Sequence, residues 1–232
     1  MTHPLVAALE QAFQEVRNRH LPLGERLKYI AQCVREGSPQ FAVAVDTFVS
    51  RLETAQAGGG APQVGEIMPD FVLPDHEGRL VRLAALLQQG PVVLAFHRGH
   101  WCPYCRLNMV GLAEIEMQAK PAQLVAISSE LQQFTRQLRT EAGAQFPFLT
   151  DLDGGYALSV NLAIWVDEAM SSMIGGAGWN IPQYQGGDAW FLPVPAVFVL
   201  GRDGVIVGRH VDPDYRRRME LDALLSAIDL VR

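Results

Sequence analysis

Two cysteines three residues apart, Cys102 and Cys105, stand in the stretch Trp101-Cys102-Pro103-Tyr104-Cys105. On a helix that spacing puts both sulfurs on one face, close enough for a disulfide to form and to break again by thiol exchange. The stretch follows the apolar run Val92–Phe96 and opens a helical pattern, with Pro103 suited to a first turn. Unpaired amides and the dipole at a helix start stabilise a negative thiolate, the nucleophilic form of cysteine. Arg98, just upstream, adds positive charge to that field. Zinc is the competing use of such a pair, but no second pair and no suitably spaced histidines accompany it, so redox chemistry is the better reading and no metal or other cofactor is expected.

Other residues near the pair have two uses each. His97 ends the strand and His100 lies in the turn before Cys102; either can stabilise a thiolate or simply pack. Trp101, Pro103 and Tyr104 can shape the approach of a substrate to the thiols or fill space beside the helix start. The third cysteine, Cys33, sits among Ile30, Ala31 and Val34 and reads as a small hydrophobe in a helix interface. Asp151-Leu152-Asp153-Gly154-Gly155 lacks the remaining ligands of a calcium loop and reads as a turn. Arg216-Arg217-Arg218 reads as a solvated face or a site that pairs carboxylates.

The pair needs elements to hold it, and periodicity supplies them. Residues 4–56 carry three helical stripes: Leu5, Leu9, Ala12, Phe13 and Val16; then Leu23, Leu27, Ile30, Ala31 and Val34; then Phe41, Val45, Phe48, Val49 and Leu52, with Ser38-Pro39 as the cap and first turn of the third. Ala57-Gly58-Gly59-Gly60-Ala61-Pro62 cannot continue a helix, which predicts a boundary between a helical extension, residues 1–60, and a second unit, residues 61–232. In that unit short apolar strands alternate with helical patterns. Val92–Phe96 precedes the cysteine helix, and residues 124–127 precede a helix through Leu131, Phe134 and Leu138 whose start Ser129 and Gln132 mark as a capping box. Residues 196–200 and 205–207 flank the turn Gly201-Arg202-Asp203-Gly204, and Leu221, Leu224, Leu225 and Ile228 give a last helix. A βαβ progression followed by a hairpin predicts an α/β fold with a mixed central sheet flanked by helices. Residues 175–195, rich in glycine and aromatics, are long for a connection and read as a lid or as an insertion packed on the surface.

Composition bounds the function. At 232 residues, 49% hydrophobic and 19% charged, the chain can bury a full core. A net charge of -6 argues against nucleic acid or an anionic lipid surface as a partner, since such binding usually needs a clustered basic surface. Glu10, Glu15 and Arg17 interrupt the first twenty residues, so no signal peptide is expected, and no apolar run approaches the roughly 20 residues of a membrane span. With a lone closely spaced cysteine pair, this points to a reducing, cytoplasmic setting.

The segment Phe96-His97-Arg98-Gly99-His100-Trp101-Cys102-Pro103-Tyr104-Cys105 resembles the signature of the peroxiredoxin-like branch of the alkyl hydroperoxide reductase C and thiol-specific antioxidant family, within the thioredoxin-like superfamily. The resemblance covers residues 61–232. Residues 64–71 resemble the family's opening strand and residues 192–199 its return strand; the helical prefix is also found in that branch. The resemblance implies a thioredoxin-like fold and a peroxide substrate, with an external thiol reductant such as thioredoxin or glutaredoxin. It places Pro195 where thioredoxin-fold proteins keep a cis-proline facing the cysteines, ready to pair with an extended substrate. Cys105 matches the family's peroxide-attacking cysteine, whereas Cys102 and Arg98 stand where the family has a threonine and a proline. The family's return-strand arginine would fall near Pro195, so that position has no arginine here.

Three functions follow. In a peroxide reductase, Cys105 attacks, becomes a sulfenic acid and condenses with Cys102. In a disulfide oxidoreductase, a more exposed Cys102 attacks a substrate disulfide and Cys105 resolves it. In a redox-sensing protein without catalysis, the apolar prefix serves partner binding or a homodimer.

Overall fold

The computed structural model describes residues 3–232, so the first two residues of the expected extension lie outside the described residues. Three amphipathic helices come first: α1 (Pro4–Val16), α2 (Leu23–Gly37) and α3 (Pro39–Thr54). Each buries the stripe its spacing predicts, except that Ala31 is only half-buried. Periodicity does not flag Arg26, which is 2% exposed and donates twice to the Glu114 carboxylate at 2.8 and 2.7 Å. Pro39 takes the first turn of α3, but the Ser38 side chain does not cap it. The glycine-rich turn that follows is held in place: Arg209 donates to the carbonyls of Pro62 and Gly58, and Asn161 donates to that of Gly60.

A hairpin of β1 (Val72–Pro74) and β2 (Leu80–Arg82) leads through α4 (Leu83–Gln89) into the βαβ progression: β3 (Val92–Phe96), α5 (Pro103–Ala119), β4 (Gln123–Ser128), α6 (Gln132–Ala142) and β5 (Phe148–Thr150). Next come α7 (Gly155–Ser159), β6 (Ala163–Trp165), α8 (Glu168–Gly176), α9 (Ile181–Gln185) and β7 (Phe191–Pro193), the last pairing back on β6. Strands β8 (Ala196–Leu200) and β9 (Ile206–Val211) and helix α10 (Leu221–Asp229) complete the chain. The central sheet runs β5-β4-β3-β8-β9, with β3, β4 and β5 parallel and β8 antiparallel to both β3 and β9. It is the mixed sheet of a thioredoxin-like α/β fold.

Alternation along the strands sorts side chains to the two faces. Val93 and Ala95 of β3, with Val197 and Val199 of β8, join the core that holds α5, α6, α10 and the three N-terminal helices. Val92, Leu94 and Phe96, with Ala196, Phe198 and Leu200, face the opposite core, where α4 and α7 pack. Helix α5 buries residues all round its circumference, from Tyr104 and Cys105 through Leu107, Met109, Val110 and Leu112. Such a helix needs cover on both sides; the sheet supplies one side and α1 and α2 the other.

Two expectations fail locally. Residues 64–71 form no regular strand: Gly65 and Met68 donate to the carbonyls of Ile206 and Gly204 around a single bridge between Ile67 and Val205, but Gly65, at φ 91°, is not extended and Pro69 has no N–H to carry the pairing on. Helix α6 starts at Gln132 with Leu131 as its uncapped N-cap residue, so Ser129 and Gln132 make no capping box; Ser129 is buried at the end of β4 instead. Among the described residues, no helix is long and apolar enough to cross a membrane.

The Arg26–Glu114 contact ties the helical layer to α5 and is asymmetric, because Arg26 is buried whereas Glu114 is 42% exposed. Glu114→Ala strands a buried guanidinium and is expected to lower the unfolding free energy by about 2 kcal/mol, less than for a wholly buried pair. Arg26→Met, which removes the buried charge itself, costs less. Urea unfolding of the two variants checks that order.

Candidate active site

The cysteines occupy the junction of β3 and α5. Cys102 is the N-cap residue of α5, Pro103 sits in its first turn, and Cys105 lies one turn in, where unpaired backbone amides gather. The loop back to β3 turns at Gly99, whose φ of 144° is open to glycine and whose missing side chain matters. A Cβ there would come within 2.5 Å of the Glu130 carboxylate and 2.7 Å of Trp101 Nε1.

Both cysteines are free thiols, and neither reaches the surface: Cys102 is 1% exposed and Cys105 not at all. The expected greater exposure of Cys102 is therefore absent, because α1–α3 cover the helix start. Two donors converge on Cys105 Sγ. The Arg98 backbone N–H donates at 3.3 Å, and the Arg218 guanidinium donates at 3.4 Å. Burial opposes ionisation of Cys105, but a hydrogen bond from the Cys102 thiol, the charges of Arg218 and Arg98, and the Arg98 N–H outweigh it and bring the pKa down to about 5. Burial pushes the Cys102 thiol well above its usual value, and so do its hydrogen bond to Cys105 and the negative charge there. The pair thus divides into a thiolate on Cys105 and a protonated thiol on Cys102.

The two arginines are held differently. Arg218, on the segment before α10, donates to the carbonyls of Tyr215 and Arg217, which fix its plane. Arg98 has its guanidinium 3.8 Å from the centroid of Tyr215 and 4.9 Å from that of Trp101. Tyr215 in turn meets Tyr104 edge to face at 5.5 Å.

Arg98, Trp101, Cys102, Pro103 and Tyr104 line one end of a cavity of about 30 Å³; Tyr215 joins them, while Cys105 stands outside the lining. Leu9, Val34 and Phe41 of the N-terminal helices also line it, with Met170, Ile174 and Trp179. The region expected to be a lid or a surface insertion thus covers the cysteine end of the domain, Trp179 lying 5.8 Å from Trp101.

Pro195 does not join this site. Its peptide bond is trans, since Lys120–Pro121 carries the only cis bond among the described residues, and it is absent from the cavity lining. Val194 and Pro195 alone separate β7 from β8, and the bond there has the isomer that X–Pro bonds ordinarily favour by roughly 0.5–1 kcal/mol. The histidines also differ from the thiolate-stabilising reading. His97 is fully buried against Phe148, and burial takes its pKa down to about 3, so it is neutral. His100 gives its Nδ1 to Glu130 at 2.6 Å and its backbone N–H to the same carboxylate at 2.7 Å, with its ring stacked on Phe134. Glu130 has no exposed surface, and burial raises its pKa.

Sequence reasoning missed Arg218, Tyr215 and Glu130. By sequence, the triplet Arg216-Arg217-Arg218 reads as a solvated face or a carboxylate-pairing site. That holds for Arg216, paired with Asp214 and Asp46, and for Arg217 near Asp212, but Arg218 is 8% exposed and turned to the sulfur. The available signal was indirect: a thiolate with no arginine at the return strand needs a cation from elsewhere. Cys33 is half-buried in the α1–α2 layer, and Asp151 accepts from the backbone N–H groups of Tyr156 and Ala157 at the start of α7.

Removing Arg218 should change the acidity of the pair. Arg218→Met is expected to raise the Cys105 pKa, seen as thiolate ultraviolet absorbance that appears only at higher pH than in the wild type; an unchanged titration would separate Arg218 from the thiolate.

Comparison with known proteins matches the site and the sheet. The profile of the AhpC/TSA family aligns with residues 64–209, which take in β3, both cysteines and β8. "Putative peroxiredoxin MT1643" of Mycobacterium tuberculosis is 30% identical over 97 residues, 41% of this chain and 63% of that protein, so the chain spans less than two thirds of the length of the curated relatives it matches. Peroxidoxin BcpB from Mycobacterium tuberculosis superposes with a TM-score of 0.56 at 20% identity, over 73% of this chain and 98% of that one. A peroxiredoxin-like protein from Aquifex aeolicus gives 0.58 at 12% identity, over 74% and 89%. At such identities the superpositions speak to the fold alone. The profile, running through more than half of the chain and across the strand–helix junction that holds the cysteines, shows that this chain belongs to the AhpC/TSA family.

Proposed function

We propose that the chain is a thiol-dependent peroxide reductase in which Cys105 attacks the peroxide and Cys102 resolves it. The observation that carries this reading is a buried sulfur poised as a thiolate between two donors, the Arg98 N–H and the Arg218 guanidinium. The Cys105 thiolate attacks one oxygen of ROOH; the S–O bond forms as the O–O bond breaks, the sulfur is oxidised to a sulfenic acid, and the other oxygen leaves as ROH on taking a proton. Cys102, protonated and hydrogen-bonded to Cys105, is a proton donor at hand. The Cys102 thiolate so formed then attacks the sulfenic sulfur; the S–S bond forms as the S–O bond breaks, and the hydroxide leaves as water on taking a proton from solvent. Two electrons from an external thiol reductant, of the thioredoxin or glutaredoxin kind, restore both thiols.

The cavity supports a small oxidant. The cavity reaches the pair through Cys102, and since roughly 10–15 Å³ holds one water, about 30 Å³ admits a small molecule beside the two sulfurs more readily than a peptide carrying a disulfide. In this reading residues 1–60 act as a helical cover on the domain of residues 61–232, and Trp101, Pro103 and Tyr104 with Arg98 form the walls that meet the peroxide.

A second reading has one observation in its favour: Cys102, not Cys105, lines the cavity. Attack by Cys102 on a disulfide, with Cys105 resolving, would make the protein a disulfide oxidoreductase.

Paired variants separate the two. After exposure to hydrogen peroxide, Cys102→Ser is expected to accumulate a sulfenic acid that a dimedone-type trap labels, whereas Cys105→Ser gives none. Label on Cys102 alone, in Cys105→Ser, would transfer the attacking role and favour the second reading.

A further inference from the structure

We propose that the N-terminal helices set the size of peroxide the site accepts, with Phe41 and Val34 as specificity-determining residues that restrict it to hydrogen peroxide and short hydroperoxides. The inference rests on the peroxidase reading and goes beyond it, because it gives the helical layer a role in substrate choice. Arg98 is the one charged residue of the lining, and three separate helices give it apolar side chains: Leu9 from α1, Val34 from α2 and Phe41 from α3. The space beside these side chains is narrow, about 30 Å³. A branched or aromatic substituent on the second oxygen would have to displace Phe41 or Val34.

Those walls are not free to give way. Phe41 rests edge-on against Trp179 at 6.3 Å, and Trp179 rests against Trp101. The layer is clasped to the catalytic domain by charged contacts beside the site. Arg106, next to Cys105, reaches Glu10 of α1 at 2.6 Å, and Arg216, near Arg218, reaches Asp46 of α3 at 2.5 Å. Both clasps start from segments that carry a site residue, so the roof and the sulfur are held in one frame.

The test compares second-order rate constants of the full-length reduced protein for hydrogen peroxide and cumene hydroperoxide. Wild-type protein is expected to favour hydrogen peroxide. Phe41→Leu and Val34→Ala are each expected to raise the cumene-to-hydrogen-peroxide ratio by roughly tenfold, the scale of a few methylenes in an apolar pocket. Phe48→Leu, a substitution in the same helix but away from the cavity, leaves the ratio at the wild-type value, which separates loss of the wall from general loosening of α3. If Phe41→Leu does not fold, the milder Val34→Ala decides. Unchanged ratios in the wall variants, or a wild type that consumes both peroxides equally fast, overturn the proposal. A wild type that reacts with neither peroxide faster than a free thiol overturns the peroxidase reading and the proposal with it.

Discussion

An anionic sulfur without access to water is costly unless charge and hydrogen bonds replace its hydration, and Cys105 has no exposed surface. The site is built around that requirement. A position one turn into α5 offers the positive end of the helix, Arg98 N–H comes from the loop after β3, and Arg218 comes from the far end of the chain. Each donor is fixed by something else. Arg218 is held by backbone carbonyls, Arg98 by two aromatic rings, and the Gly99 turn by the Glu130–His100 contact beside it. Low dielectric penalises the bare charge and also strengthens its attraction to nearby cations, so the cover over the site and the cations inside it belong together.

That link explains the helical layer. Through Leu112 nearly every residue of α5 is buried whichever side it faces, which the sheet alone cannot provide; α1 and α2 supply the second cover. The same layer buries both cysteines and leaves a cavity of about 30 Å³ with Cys102 in its lining. Packing, electrostatics and access to the pair are three consequences of one arrangement. It is fastened by ion pairs whose arginines, Arg106 and Arg216, neighbour the residues that hold the sulfur.

What could be read from sequence was what is local. The cysteine spacing, the β3 run before it and the stripes of α1, α2 and α3 each repeat within a few residues, and the structure buries those stripes as their periods require. What could not be read depends on chain segments far apart. Arg218 and Cys105 are brought together only by the docking of the segment before α10, and nothing in three consecutive arginines marks which one turns inward. Glu130 is an acid after a strand until the Gly99 turn closes over it. The strand expected at residues 64–71 failed because its glycine and proline outweigh its apolar residues, and the Pro195 expectation failed because a family position does not carry its backbone isomer with it. The relative exposure of the two cysteines was misjudged for a similar reason, since the helices that bury Cys102 lie more than forty residues away in sequence.

The most direct test of the account is the rate of peroxide-driven disulfide formation as a function of pH. Only the thiolate attacks, so a Cys105 pKa lowered to about 5 predicts a rate constant nearly flat through neutrality, falling with a single proton only as pH drops through about 5. A rate that instead climbs steadily through neutral pH toward the ordinary thiol pKa of about 8.5 would contradict a buried, preformed thiolate at Cys105.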